Sequence, residues 1–194
     1  MNSGVKKLFS IASKNKRKII GLMSGTSMDG LDIALCSCQG SGDKTRIKVL
    51  KFITAPYGHE FRQEVKGIFS KREVDLQQVC LLNELIGTRT GELVLEALEK
   101  WGIDPEEVDL IASHGQSIFH APKSLHGLEN YPNATLQIGD GDHIAVKTGI
   151  ITLCDFRQKH IAAGGEGAPL AVYGDYLMFS KTAFCTARED SRYM

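Results

Sequence analysis

Net charge is the first thing this chain lacks: 23 basic and 23 acidic residues cancel over 194 positions. A balanced total gives no reason to expect nucleic acid or an anionic membrane as partner. Long hydrophobic runs are missing as well. The apolar patch nearest the N-terminus, Leu8-Phe9-Ser10-Ile11-Ala12, is too short for a signal-peptide core or a membrane span. Five cysteines occur without a single C-x-x-C pair, which fits reduced thiols in a cytoplasmic chain. Cys36 and Cys38 fall on one face of an expected strand and read as packing residues. What remains is an ordinary soluble composition, 42% hydrophobic, with length for one large or two small domains. Residues 1–17, basic through Lys6, Lys7, Lys14, Lys16 and Arg17, are expected to be a frayed, disordered extension.

The stretch from Lys18 to Cys38 carries the most information. Ile19-Ile20-Gly21-Leu22 is a short β-branched run, and Leu31, Ile33 and Leu35 alternate with Asp32, Ala34 and Cys36, the two-residue period of a half-buried strand. Between them lies Ser24-Gly25-Thr26-Ser27-Met28-Asp29-Gly30. Glycines 25 and 30 allow a tight turn, and backbone N–H groups with the hydroxyls of Ser24, Thr26 and Ser27 suit an anion such as phosphate. Asp29 conflicts with a bare phosphate unless a Mg²⁺ ion lies between them. No Gly-Lys-Ser/Thr and no G-x-G-x-x-G occurs in this loop, so it is neither a Walker A loop nor a dinucleotide fingerprint. A plain hairpin turn is the alternative reading.

Further along, 47–54 reads as a third strand, so the chain opens as a β-meander. Glu60–Phe69 reads as an amphipathic helix. Asp75 is a candidate N-cap, with Gln78 completing a variant capping box, for a long helix whose stripe runs through Val79, Leu82, Leu85 or Ile86, Leu93, Leu98 and Trp101 to Gly102. Gly87 and Gly91 inside it mark close packing or a bend. Val108–Ser113 is an expected strand with His114-Gly115-Gln116 at its C-terminal end, where open sheets place ligand contacts. Residues 121–134 form a long loop, Thr135–Asp140 a short strand with its turn, and Asp142–Thr148 two helical turns. Ile150–Phe156 has the near-continuous apolar pattern of a strand buried on both faces. Gly164-Gly165-Glu166-Gly167 then leads into a helix expected from Pro169 to Phe179, again suited to an anion or hydroxyl group. A meander followed by alternating strands and helices is an α/β unit.

Together, Gly21–Asp32, Ser113–Pro122, Leu136–Asp140, Asp155-Phe156-Arg157 and Ala162–Leu170 resemble the anhydro-N-acetylmuramic acid kinase family, in that family's order, over Lys18–Ser180. The resemblance implies a ribonuclease H-like lobe of the sugar-kinase, Hsp70 and actin superfamily, spanning 18–180, with part of the substrate region between lobes. It also implies a cytoplasmic enzyme of peptidoglycan recycling. Such an enzyme uses ATP and Mg²⁺ to phosphorylate the 6-oxygen of 1,6-anhydro-N-acetylmuramic acid while water opens the anhydro bridge. By the resemblance, Gly25, Thr26, Ser27, Met28, Asp29, Gly30, Leu31 and Asp32 form the ATP-phosphate segment, with Asp29 toward the metal. His114, Gln116, Asp155, Arg157, Gly164, Gly165, Glu166 and Gly167 lie on the sugar side. Arg157 is suited to the substrate's lactyl carboxylate.

This chain departs from the commoner family pattern in carrying His160 where Asp is usual and Glu166 where Gln is usual. Family members are nearly twice as long, and the Phe-Asp-x-Gly-Pro-x-Asn motif that carries the proposed catalytic base lies beyond Met194. Residues 181–194 lack periodicity and are set apart as an atypical tail. A fragment is therefore expected, and a non-catalytic remnant or sugar-binding fragment is the alternative to an active kinase. The full-length family implies a possible homodimer. His114, His120 and His126 fall at six-residue steps that no helix gathers on one face, and the expected loop over 121–134 keeps them off one strand, which argues against a histidine metal site. Asp140 and Asp142 are a turn pair or a second Mg²⁺ contact, the turn being favoured. Glu166 is either a solvated carboxylate or an acceptor for a substrate hydroxyl.

Overall fold

A computed structural model describes residues 3–176, 178 and 179; the tail set apart at 181–194 and Leu177 of the expected last helix lie outside them. In chain order the elements are α1 (Ser3–Ser13), β1 (Lys16–Ser24), β2 (Gly30–Gln39), β3 (Arg46–Pro56), α2 (His59–Ile68), α3 (Leu76–Trp101), β4 (Leu110–Ala121), α4 (Lys123–His126), β5 (Ala134–Ile138), α5 (Gly141–Thr148), β6 (Thr152–Leu153) and α6 (Phe156–Ala162). Strands run in the order β3-β2-β1-β4-β5, with β6 also on β4. β1, β2 and β3 pair antiparallel as the expected meander. After α2 and α3 the chain returns to lay β4 parallel to β1, and after α5 it lays β6 parallel to β4. That is the ribonuclease H-like order of the sugar-kinase and actin lobes.

The alternating residues of β1 and β2 decide which face is buried. Ile20, Leu22, Ile33 and Leu35 pack against Val94 and Leu98 of α3. A second core beneath the turn after β1 gathers Met28, Val65, Ile68, Leu82, Ile86 and Ile118. Asp75 caps α3 by accepting the Gln77 N–H at 2.8 Å. Gln78 does not complete a capping box; its amide lies toward Gly67. Gly102 ends the helix in the left-handed conformation. Gly87 and Gly91 serve close packing. A Cβ on Gly87 would lie 2.6 Å from the Asp140 carbonyl oxygen, and one on Gly91 2.8 Å from Lys147 Cβ, so α5 rests directly on the α3 backbone.

Four expectations are corrected. The N-terminal stretch is helical rather than frayed: Ile11 of α1 is 3% exposed. Arg17 holds that helix, its Nε and Nη2 donating to the carbonyls of Ile11 and Ala12 at 2.9 and 2.6 Å. β4 does not stop before His114; it continues to Ala121 through a register shift opposite Met23, where Gly115 takes a φ of 70°. The expected loop at 121–134 contains α4. The strand expected over Ile150–Phe156 shrinks to Thr152–Leu153, because β6 pairs with β4 alone and Asp155, at φ 59°, turns the chain into α6. Burial on both faces fails with it, Leu153 being 43% exposed. The helix expected from Pro169 is present at 171–176 and 178–179.

Alanine normally favours a helix interior over glycine by about 1 kcal/mol. Against backbone at 2.6 Å the overpacking cost, roughly 1–3 kcal/mol, exceeds that gain. Gly87→Ala is expected to unfold at lower urea concentration than wild type. Gly67→Ala in α2, whose new methyl meets only the flexible Gln78 side chain at 3.4 Å, is expected to unfold at the same or higher concentration.

Candidate functional site

The turn after β1 stands at the end of the two central strands. Gly25, Thr26, Ser27 and Asp29 are exposed, while Met28 is 2% exposed in the second core. Met28, not a glycine, takes the left-handed backbone here, at φ 56°. Burial of its side chain anchors the turn, so only its backbone faces the exposed side. Gly30 has a different task, since a Cβ there would lie 2.4 Å from the Ala55 carbonyl oxygen. Leu31 is core and Asp32 accepts the Thr54 hydroxyl across the β2–β3 pair at 2.6 Å. Asp29, its side chain 71% exposed, pairs with Arg62 of α2 at 3.3 Å. The Arg62 Nε–H is buried with no acceptor among the described residues.

Below this turn, buried Ser24 donates its hydroxyl to Gln116 Oε1 at 2.6 Å. The Gln116 amide donates to the Ser117 carbonyl at 3.1 Å, so both ends of this 3%-exposed side chain are engaged within the protein. Tyr57 lies beside Ser24. Burial pushes its phenol above the ordinary value, against the lowering bond to Ser24, so the phenol keeps its proton.

On the far side of β4, His114 and Arg157 meet. The Arg157 Nε–H donates to His114 Nε2 at 2.8 Å, and His114 Nδ1 lies 2.9 Å from the Gly115 carbonyl. An arginine N–H can only donate, so Nε2 is an acceptor and the proton sits on Nδ1, bonded to the carbonyl. Burial lowers the His114 pKa from its ordinary value, the Gly115 bond opposes that, and the Arg157 charge adds to it. A neutral imidazole thus orients a guanidinium. His114 opens on a cavity of about 320 Å³ with Asn83, Gln137, Asp140, Asp142 and Asp155. Asp155 holds its left-handed backbone at that rim.

The glycine loop follows α6. The Gly167 N–H donates to His160 Nδ1 at 3.1 Å, and the His160 ring lies so close over Gly165 that a Cβ there would be 2.1 Å from Nε2. Gly164 and Gly167 have φ of 91° and 79°. Glu166, whose role was left open, accepts the Ser124 hydroxyl of α4 at 2.9 Å.

Asp140 Oδ1 accepts the Asp142 N–H at 2.7 Å and caps α5, which favours the turn for that pair. Among the described residues no group of three or more His, Cys, Asp or Glu is placed to hold a metal ion. Sequence reasoning missed Asn83, which accepts the Gly139 N–H through Oδ1 and the Asp140 N–H through its carbonyl, fixing the cavity floor. The signal was present: Asn83 sits at the four- and three-residue steps between Val79 and Ile86, a polar residue on the apolar stripe. Arg62, visible only as one charge on a short helix, had no such mark.

The strand order and the two loops on either side of β1 and β4 define a lobe of the sugar-kinase, Hsp70 and actin superfamily. A family model described as anhydro-N-acetylmuramic acid kinase matches residues 17–188, and the chain belongs to that family. It is 57% identical over 180 residues to the anhydro-N-acetylmuramic acid kinase of Pseudoalteromonas atlantica, covering 93% of this chain and 45% of that protein. Identity to the protein of the same name from Pseudoalteromonas translucida is 54% over 182 residues, 94% of this chain and 45% of that one. To the one from Caldanaerobacter subterraneus it is 39% over 173 residues, 89% and 44% respectively. The chain therefore spans about half the length of the curated relatives it matches.

Two outcomes are expected of this site. Because the folded-state pKa of His114 is lowered, the unfolded chain takes up the proton first as pH falls. The contribution of the His114–Arg157 contact is complete above the unfolded value of about 6.5 and is lost as pH falls toward the folded one. The melting temperature of wild type minus that of His114→Asn is expected to shrink across that interval. Asp155→Gly relieves a left-handed backbone worth on the order of 1 kcal/mol, so its melting temperature is expected to rise.

Proposed function

We propose that this chain provides the ATP-phosphate turn and one wall of the sugar site of a kinase acting on 1,6-anhydro-N-acetylmuramic acid. In this reading the chain works in the cytoplasm, in peptidoglycan recycling. The product is N-acetylmuramic acid 6-phosphate, with the anhydro ring opened by water. The observation that carries the proposal is the bond from Ser24 to Gln116, which ties the exposed Gly25–Gly30 turn to the strand bearing His114. Phosphoryl transfer depends on positioning and charge stabilisation more than on covalent chemistry by the protein. Two ligands that must meet in line are served by two contact sets fixed to adjacent strands.

Gly25, Thr26 and Ser27 present hydroxyls and N–H groups to phosphate oxygens. Asp29 is the one exposed carboxylate of the turn, which fits a Mg²⁺ ion that keeps most of its ligands as water and phosphate oxygens. Bound there, the ion would neutralise phosphate charge. Arg62, already beside Asp29, supplies positive charge to the same turn. Arg157, held by neutral His114, offers its remaining N–H groups to a substrate carboxylate. His160 ties the glycine loop to α6 through Gly167, and Asn133, just before β5, ties it there through Gly165.

The test combines ATP consumption in the presence of the anhydro-sugar with calorimetric titration of the sugar alone. Sugar binding without turnover would identify the sugar-binding remnant instead. Nucleotide titration is expected to shift the amide resonances of Thr26 and Ser27. Asp29→Asn is expected to weaken ATP binding about tenfold with Mg²⁺ present, the scale of one charge-assisted contact, and to strengthen binding in chelator, where the carboxylate faces bare phosphate. Thr26 and Ser27 amides indifferent to nucleotide would overturn the proposal.

A further inference from the structure

The arginines of this chain are not held alike. Arg17 spends its Nε–H and an Nη2–H on the carbonyls of Ile11 and Ala12, and Arg157 spends its Nε–H on His114. Arg89 spans two carboxylates of its own helix, Glu92 and Glu96. Arg62 is the poorly satisfied one. Among the described residues its guanidinium has one bond, Nη2 to Asp29 Oδ1 at 3.3 Å, longer than a good charge-assisted bond of about 2.8 Å. Its Nε–H is buried with no acceptor among the described residues. Side-chain exposures of 34% and 71% make the pair with Asp29 a weak one. A buried donor without a partner works against the conformation seen, and so exposed a pair does little to enforce it. Arg62 is therefore easily released from Asp29.

The fold nevertheless fixes where that guanidinium starts from. The Tyr57 N–H donates to the Asp29 carbonyl at 3.1 Å, which pins the entrance of α2 to the turn after β1. Met28 of the turn is buried in one cluster with Val65 and Ile68 of α2, and Phe61 packs against it. Turn and helix are one packed unit, with Arg62 at the seam. Its backbone cannot move away from the turn, whereas its long side chain can rotate. Gly25, Thr26 and Ser27 lie exposed in the same turn. A lysine would serve a single-contact ion pair equally well, its ammonium being a point charge. A guanidinium carries five donors in a planar fork that fits two oxygens of one phosphate. Asp29 uses only one of the five.

We propose that Arg62 is a phosphate-binding residue held in check by Asp29: once the carboxylate is neutralised, the guanidinium turns onto the phosphates of a nucleoside triphosphate at Gly25, Thr26 and Ser27. The inference rests on the reading of this turn as a phosphate site, and adds to it a ligand from outside the turn. Rotation brings the buried Nε–H out, so the donor left unpaired beside Asp29 gains an oxygen acceptor. Asp29 and the phosphates compete for one guanidinium. The carboxylate thus opposes anion binding twice, by repulsion and by occupying Arg62.

The test titrates the whole chain in chelator with ATP and with inorganic tripolyphosphate, comparing Asp29→Asn with Asp29→Asn/Arg62→Gln. With position 29 uncharged, an arginine that only neutralises it has nothing left to do. The second substitution is expected to weaken both ligands about tenfold, the scale of a charge-assisted contact, and Arg62→Lys in the same background to recover only part of that loss. Equal melting temperatures show that the variants fold. A second measurement needs no variant: in wild type the proton–nitrogen resonance of the Arg62 Nε–H is expected to shift on saturation with Mg²⁺ and tripolyphosphate. Undiminished binding after Arg62→Gln, full recovery by lysine, or a loss with ATP but not with tripolyphosphate would each overturn the inference. So would an Nε–H that stays in place while the Thr26 and Ser27 amides shift, an outcome that leaves the turn itself a phosphate site. Thr26 and Ser27 amides indifferent to both ligands would sink this inference together with the reading it rests on.

Discussion

Everything at the candidate site hangs on β1 being paired on both edges, antiparallel to β2 and parallel to β4. The buried bond from Ser24 to Gln116 is the last rung of that arrangement before the chain leaves the sheet. Removing one partner of such a pair would leave the other buried and unsatisfied, a loss of about 1–3 kcal/mol concentrated at the base of the turn. Gln116 therefore contributes as a brace, both ends of its amide being spent inside the protein. The resemblance implies a place for it on the sugar-facing side; its side chain is 3% exposed.

The same economy of contacts governs the other wall. His114 is neutral because its Nε2 receives an arginine N–H while Nδ1–H meets a backbone carbonyl, so a ring that titrates in water becomes a fixed support for Arg157. His160 stands where the resemblance implies a carboxylate. Imidazole Nδ1 accepts the Gly167 N–H as a carboxylate oxygen would, and the ring then occupies space that only a glycine at 165 leaves open. Glu166 finds its partner in Ser124 of α4, in a segment whose composition predicts a long loop.

Elements with a strong local period were legible: the meander from its two-residue alternation, and α3 from its stripe and its Asp75 and Gly102 ends. Where the expectation missed, a long-range contact had overridden a local pattern. Ile150–Phe156 looks like a strand buried on both faces, but only β4 is there to pair with it, and Asp155 turns the backbone away. The first seventeen residues look unstructured because their one core residue, Ile11, is recognisable only once Arg17 is seen to fold back on it. Arg62 and Asn83 escaped for a similar reason, since their partners lie 33 and 56 residues away in sequence.

The amino-acid sequence by itself determined the α/β class, the order of the strands through β5 with α2 and α3 between them, the hydroxyl-rich turn and the family motifs, because periodicity, capping and motif spacing are local properties. Tertiary structure alone decided which side chains of those motifs face outward. It also decided that Met28 and Gln116 anchor while Thr26, Ser27 and Asp29 are presented, and that His114 carries its proton on Nδ1. It likewise set Arg62 beside Asp29, because the packing of Met28 against α2 brings together residues that the sequence holds far apart.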